Sequence, residues 1–292
     1  MSFAAQPSAT SIASATAAPP AHARLAFVGG GNMAAALIGG LRDAGTPAEA
    51  IRVLEIQPAA REVLHQRFGV MASDAADVVL DGADVVVLAV KPQQLAAVCR
   101  SMAQALEGKL VISIAAGVRT ADLSRWLGGH ALLVRAMPNT PALIRAGVTG
   151  LFALEAVDAG RRALAAQLLG AVGTVVWVPA EAGLDAVTAI SGSGPAYVFH
   201  FLEGLIAAGQ ALGLDPATAQ QLALETVAGS ARLALESEET PATLRVRVTS
   251  PNGTTQAALE RFAQGDLPGL IAAATRAAAD RAVELGDQLG QG

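Results

Sequence analysis

The run Gly29-Gly30-Gly31-Asn32-Met33-Ala34 directly follows an apolar stretch at residues 25–28 and opens a helical segment. No other feature limits the fold of this chain so tightly. The spacing fits G-x-G-x-x-G/A. In that motif the first glycine makes a tight turn, the second lets a pyrophosphate approach, and the small last residue lets helix and strand pack. Alone the motif is weak, but between a strand and a helix it marks the start of a dinucleotide-binding βαβ unit. Downstream, residues 51–54, 85–90, 110–114 and 132–136 are nearly continuous apolar runs, the pattern of parallel strands covered on both faces. Segments 33–44, 59–68, 93–106 and 120–127 read as helices between them, and 148–153 and 174–178 can extend the sheet. This alternation predicts an α/β fold, a Rossmann-like doubly wound and mostly parallel sheet.

After about residue 180 the strand signal stops. Residues 195–212 form a long helix that starts on Pro195 and ends before Gly213. Asp215-Pro216 caps the next helix, which runs to about Glu236, and shorter helices follow at 241–248, 255–263 and 267–285. The expected division is a disordered Ala/Ser/Pro-rich tail at 1–22, a dinucleotide-binding domain at 23–180 and an all-helical domain at 181–292. Hydrophobic residues make up 52% of the chain but aromatics only 3%. The helical cores must then be built from Ala, Leu and Val, which lets helices approach closely and favours interlocked subunits.

Charge and composition exclude several classes. A net charge of −5 and a pI near 5.4 argue against a nucleic-acid surface. The adjacent Arg161 and Arg162 read as a solvated helix face. Cys99 is the only cysteine, and His22, His65, His130 and His200 show no ligand spacing, so neither a disulfide nor a metal is expected. The first 21 residues lack Lys and Arg, unlike a secretory signal, and no apolar run reaches the ~20 residues a bilayer needs. A cytoplasmic protein without a membrane partner is the expectation.

Candidate ligand groups cluster after the strands, where doubly wound sheets bind ligands. Glu55 ends the second apolar run and suits the ribose hydroxyls of NAD. A 2′-phosphate there wants a basic group instead, and Arg61 is near in sequence. Ala89-Val90-Lys91-Pro92 and Ala115-Ala116-Gly117 follow two further strands; small residues let a nicotinamide lie flat, though simple punctuation explains them equally. Met137-Pro138-Asn139-Thr140-Pro141 predicts an extended loop. The Asn139 amide suits a carboxamide or a backbone group, and a plain turn is the alternative. The small residues 189–194 form a hinge into what reads as the longest helix; its serine hydroxyls cap and pack that helix or touch ligand, Tyr197 is a core residue or a proton donor, and His200 is packed or at an interface. Val248-Thr249-Ser250-Pro251-Asn252-Gly253-Thr254-Thr255 is either an ordinary capped turn or an anion site. The first turn of a helix offers unpartnered N–H groups and a favourable dipole, and the second half of the chain has no lysine.

Taken together, FVGGGNMA (27–34), AVKPQ (89–93), SIAAGV (113–118), MPNTPALIRAG (137–147), AISGSGPAYVF (189–199) and VTSPNGTT (248–255) resemble the pyrroline-5-carboxylate reductase family. They come in the family's order and span nearly everything from Arg24 onward. The resemblance implies NADPH or NADH reducing a cyclic imine carboxylate to L-proline. It implies cofactor contacts at Val28, Gly29, Gly30, Gly31, Asn32, Met33, Ala89, Val90, Lys91, Pro92, Ala115 and Ala116, beside Glu55 and Asn139 from the residues' own chemistry. Substrate contacts are implied at Ser250, Gly253, Thr254 and Thr255, with Thr255 as the catalytic hydrogen-bond donor to the ring nitrogen. It also implies a homodimer through the helical domain, often assembled further into rings. Two positions depart: Ala76 stands where many relatives have an Asn that touches the ribose, and Val246-Arg247 where many have an acid or Asn before the turn.

Rival readings differ in one feature each. A 3-hydroxyacid dehydrogenase wants a lysine in its helical domain, and none follows Lys109. A reductase of a larger ring, such as a piperideine carboxylate, would keep every motif above. A non-catalytic dinucleotide-binding module would have no need of the turn at 249–255.

Overall fold

The structure, a computed structural model, describes residues 23–291. The tail expected at 1–22 lies outside the described residues. Those residues divide into two compact units, one of residues 23–192 with 278–291 and the other of residues 193–277.

The first unit is a single sheet with helices on both faces. Its elements run β1 (Leu25–Val28), α1 (Asn32–Asp43), β2 (Ile51–Leu54), α2 (Pro58–Phe68), β3 (Met71–Ser73), α3 (Ala76–Leu80), β4 (Val85–Leu88), α4 (Pro92–Met102), β5 (Leu110–Ser113) and α5 (Thr120–Trp126). Then come β6 (Leu133–Met137), β7 (Gly147–Ala153), α6 (Ala159–Gly170), β8 (Gly173–Trp177) and α7 (Gly183–Val187). Strand order is β3-β2-β1-β4-β5-β6-β7-β8. Every neighbouring pair is parallel except β6 with β7. The link between those two is too short for a helical crossover, so the chain turns back on itself.

Apolar runs become two cores because successive side chains leave opposite faces of a strand. Leu25, Phe27, Val85, Val87, Leu110 and Ile112 fill one face with Leu37 and Ile38 of α1. Ala26, Val28, Val86, Leu88 and Val111 fill the other with Leu95 and Cys99 of α4 and with Trp126. Burial pushes the Cys99 thiol up to about 12, although the charge of Arg100 opposes it. The link between β6 and the sheet's far side is polar. Buried Arg135 pairs with Glu181 at 3.0 Å, and Glu181 also accepts from the backbone N–H and the hydroxyl of Thr120.

The second unit is helical: α8 (Gly194–Ala211), α9 (Pro216–Glu236), α10 (Pro241–Arg247), α11 (Thr254–Gln264) and the start of α12 (Leu267–Gly290). Gly213, at φ 96°, ends the α8 segment in a conformation that disfavours side chains, and Asp215 accepts from the N–H groups of Ala217 and Thr218 to start α9. The two helices close tightly at that corner: a Cβ on Gly209 would lie 3.2 Å from that of Ala219. From Ala278 onward α12 belongs to the first unit, where Asp287 pairs with Arg119 at 2.7 Å and the Gly290 carbonyl accepts from Arg125.

Several expectations need correction. The longest helix is the 24-residue α12, followed by the 21-residue α9; α8 has 18 residues. The small-residue hinge takes the form of a π-helical turn over Thr188–Gly192. The strand expected at 85–90 stops at Leu88, and the helix expected at 93–106 ends at Met102 before a short 3-10 turn at Gln104–Leu106. The loop after Met137 is not extended throughout, because Thr140–Ile144 winds into a 3-10 turn with Pro141, whose fixed φ suits it, as its second residue. Arg161 is solvated, but Arg162 is not a free surface group. It donates to the Val157 carbonyl and stacks on Trp177 at 5.5 Å. Tyr197 is exposed rather than core. His200 is exposed within the single chain, not packed in it, and contacts Glu203, which leaves the expected interface position untouched.

Candidate active site

The sheet itself makes the first half of the site. From β1 the chain moves outward through β2 and β3, then returns to place β4 on β1's other side. Loops leaving β1 and β4 therefore part at their carboxyl ends and leave a crevice. A cleft of about 800 Å³ opens there, lined among others by Gly29, Gly30, Gly31, Glu55, Val90 and Lys91.

The three glycines have separate jobs. Gly29 sits at φ 100°, donates to the Leu54 carbonyl at 2.8 Å, and leaves no room for a Cβ, which would lie 2.8 Å from the Ala89 carbonyl oxygen. A Cβ on Gly30 would meet the Glu55 carboxylate at 3.2 Å and Leu64 at 2.7 Å. A Cβ on Gly31 would meet nothing within 4 Å, and Gly31 starts α1 with no side chain capping it. The first turn of α1 thus points unsatisfied N–H groups into open space at the mouth of the cleft. This is a cradle of the shape and polarity that a pyrophosphate requires, so the residues present fit a dinucleotide.

Glu55 closes the wall beyond β2. One carboxylate oxygen accepts from Gly30 N–H at 2.9 Å and the other from Gln57 N–H at 2.9 Å. Its own N–H is tied to the Ser73 carbonyl, so the side chain starts from a fixed point. Arg61, the candidate phosphate partner, donates to the Glu55 and Ile56 carbonyls and pairs with Asp74 at 3.0 Å. Lys91 precedes α4 as its N-cap residue, and Pro92 takes the first helical position.

Other residues expected at the cofactor fall outside the lining of this cleft. Asn32 and Met33 begin α1, with Met33 packed partly into the core. Ala115 is buried and Ala116 exposed just after β5. Asn139 is nearly buried and bonds the backbone at both ends of its amide, accepting from Val148 N–H at 2.9 Å and donating to the Ser191 carbonyl at 3.1 Å.

The turn at 249–255 belongs to the second unit. Asn252 takes φ 57°, a left-handed conformation that asparagine tolerates. Gly253 donates to the Ser250 carbonyl at 3.0 Å and starts α11 with no side-chain cap. The N–H groups of the first turn of α11, at Thr254, Thr255 and Gln256, consequently open outward with the helix dipole behind them. Thr255 is half-buried and Ser250 and Thr254 are exposed. Gln256 was not singled out from the sequence, yet it holds the turn: its amide oxygen accepts from Asn252 N–H at 2.8 Å, and its nitrogen donates to Glu260. The signal was a Gln at the third helical position, as in a capping box, although its bond goes to Asn252 rather than to the N-cap Gly253. Among the described residues no group of three or more His, Cys, Asp or Glu could hold a metal ion, and no helix is long and apolar enough to cross a membrane.

A glycine cradle at the switch point of a doubly wound sheet, joined to an all-helical second unit, defines a Rossmann-type dinucleotide-binding protein. Comparison with known proteins narrows this. Residues 181–285 match the family described as pyrroline-5-carboxylate reductase dimerisation, and residues 24–117 match NADP oxidoreductase, coenzyme F420-dependent. A pyrroline-5-carboxylate reductase of Pseudomonas aeruginosa is 50% identical over 270 residues, which is 92% of this chain and 98% of that one. The structure of a pyrroline-5-carboxylate reductase from Coxiella burnetii superposes with a TM-score of 0.87 at 43% identity, covering 90% of this chain and 98% of that one. A Plasmodium falciparum pyrroline carboxylate reductase with NADP bound gives a TM-score of 0.81 at 27% identity, covering 91% and 99%. The chain belongs to the pyrroline-5-carboxylate reductase family.

Proposed function

We infer that this chain reduces 1-pyrroline-5-carboxylate to L-proline with NADPH or NADH, the last step of proline synthesis. The observation that carries the reading is the uncapped first turn of α11, a carboxylate-sized anion site built without a basic side chain. Residues 23–180 take the dinucleotide, with its pyrophosphate on Gly29 to Met33, and residues 181–292 take the substrate and the second subunit. The enzyme works as a cytoplasmic homo-oligomer.

When bound, the reduced nicotinamide supplies the hydride for the imine carbon. The chain's own residues supply placement. The N–H groups of Thr254 and Thr255 and the Ser250 hydroxyl hold the substrate carboxylate, while Gly253 keeps the approach clear of a side chain. Thr255 hydrogen-bonds the ring nitrogen and favours the product amine; it need not be a strong acid, because an iminium can arrive already protonated. A fixed near-attack geometry removes much of the entropic barrier.

Oxidation of NADPH and NADH by the purified protein with pyrroline-5-carboxylate, beside the piperideine analogue, tests the reading. Fast turnover of the five-membered ring is expected. Tight cofactor binding without any imine turnover would reject it, and faster reduction of the six-membered ring would move the substrate assignment. Thr255→Ala should lower kcat/KM roughly 10- to 100-fold, as for losing a hydrogen bond to a charged group. An unchanged value in the folded variant rejects that role.

A further inference from the structure

We propose that the wall of the cleft beyond β2 makes this protein select NADH over NADPH, with Glu55 as the discriminating residue. The proposal rests on the reductase reading above and adds the nucleotide that reading leaves open. The carboxylate of Glu55 is fixed by two backbone N–H groups, at 2.9 Å each, inside the cleft that carries the glycine cradle. Each carboxylate oxygen still has lone-pair capacity for another donor. Ribose hydroxyls at the 2′ and 3′ positions are donors and suit it; a 2′-phosphate is a doubly charged acceptor and meets a like charge that cannot swing away.

The cations nearest to where a 2′-phosphate would lie are partly engaged or remote. Arg61 spends one guanidinium nitrogen on the Glu55 and Ile56 carbonyls and on the Asp74 carboxylate. Asp74 lines the same cleft, so Glu55, Asp74 and Arg61 together leave that wall net negative. Ala76, also on the lining, has no side-chain donor to offer. Lys91 follows β4, on the far side of β1 from β2. Two strand spacings, about 10 Å, separate the ends of those strands, which puts Lys91 beside the middle of the dinucleotide rather than its adenosine ribose.

The test is binding of NADH and NADPH, and of ADP-ribose and its 2′-phosphate, to the full-length oligomer by calorimetry, alongside kcat/KM for each reduced nucleotide. Expected is tighter binding of the unphosphorylated member of each pair by roughly 10- to 100-fold, the scale of hydrogen bonds to a charged acceptor. Glu55→Gln keeps the shape and removes the charge, and should collapse that ratio toward one. Asp74→Asn frees Arg61 and should tighten NADPH by several-fold. Equal or tighter NADPH binding by the wild-type protein overturns the proposal, as does a ratio unchanged in every variant whose melting temperature shows it folded. If the binding preference holds but neither nucleotide reduces the imine, the activity reading falls and the selectivity stands.

Discussion

The two units use the same apolar alphabet to opposite ends. In the first, alternate residues of β1, β4 and β5 are buried on both faces of the sheet, and Phe27 is 1% exposed. In the second, Phe199 and Phe201 of α8 are 60% and 49% exposed, with Leu222, Leu224 and Leu233 of α9 also in the open. Only a few of the second unit's side chains, Leu202, Ala219 and Ala223 among them, are buried within the single chain. A sheet closed by helices satisfies its own hydrophobic faces, whereas a short stack of helices this apolar needs a further surface. Residues 181–285 match a dimerisation family, which supports oligomerisation through this part of the chain.

The sharpest way to break this contrast is to charge the open face. Phe199→Glu with Phe201→Glu should weaken self-association by on the order of 10²- to 10³-fold, the cost of an uncompensated charge in an apolar interface. Sedimentation equilibrium reads it, and an unchanged association constant would sink the idea that these rings lie at the subunit contact. Equal in scale is the effect of opening the closed core. Phe27→Ala should destabilise the protein by about 3–5 kcal/mol. Its effect on denaturant unfolding of the first unit should not depend on protein concentration, while the α8 variants should act through concentration; a concentration-dependent Phe27 effect would blur the two units into one.

Smaller effects test the site and the caps. Gly29→Ala forces a side chain into a left-handed conformation against the Ala89 carbonyl, a strain of order 1–3 kcal/mol. Dinucleotide binding should weaken while self-association persists, and equal loss of both would mean the strain spreads beyond the cradle. The smallest expected difference is a matched pair of helix caps, one in each unit. Asp158 lies below the ordinary value of 3.8, first because the Arg161 N–H bonds it, and Asp215 is lowered mainly by its bonds to Thr218. A depressed carboxylate stabilises fully above its ordinary value and loses that contribution as pH falls through the lower folded value. NMR titration should find both midpoints below 3.8. Asp158→Ala and Asp215→Ala should each flatten the acid limb of its own unit's stability; a midpoint at or above that value would remove the cap from the argument.

Much of this architecture can be read from residue order. Nearly continuous apolar runs located β1, β2, β4, β5 and β6 to within a residue or two, because β1, β4 and β5 are buried on both faces, and a single arginine in β2 (Arg52) and in β6 (Arg135) leaves the rest of each run apolar. Strand β3 escaped because it has three residues at a sheet edge with Met71 exposed, too short for a pattern. The π turn at 188–192 escaped because its small residues equally suit a loop, and the choice depends on what packs around them. Arg162 was misread since a charged residue shows its partner, here Trp177 and a carbonyl, only after folding. In the site the glycines, Glu55 and the Ser250–Thr255 turn were legible from chemistry tied to local backbone, while Asp74 acts through a contact with Arg61 that the linear order does not rank.

Sequence alone determined the class of fold, the place of the cradle and the uncapped turn, because each depends on a period or on a residue type within a few positions. Tertiary structure decided which cations are spent. Arg61 sits between Asp74 and two carbonyls, and Glu55 is held across the cleft by Gly30. Charge at a binding site is a sum over neighbours brought together from distant positions, and that sum exists only once the chain has folded.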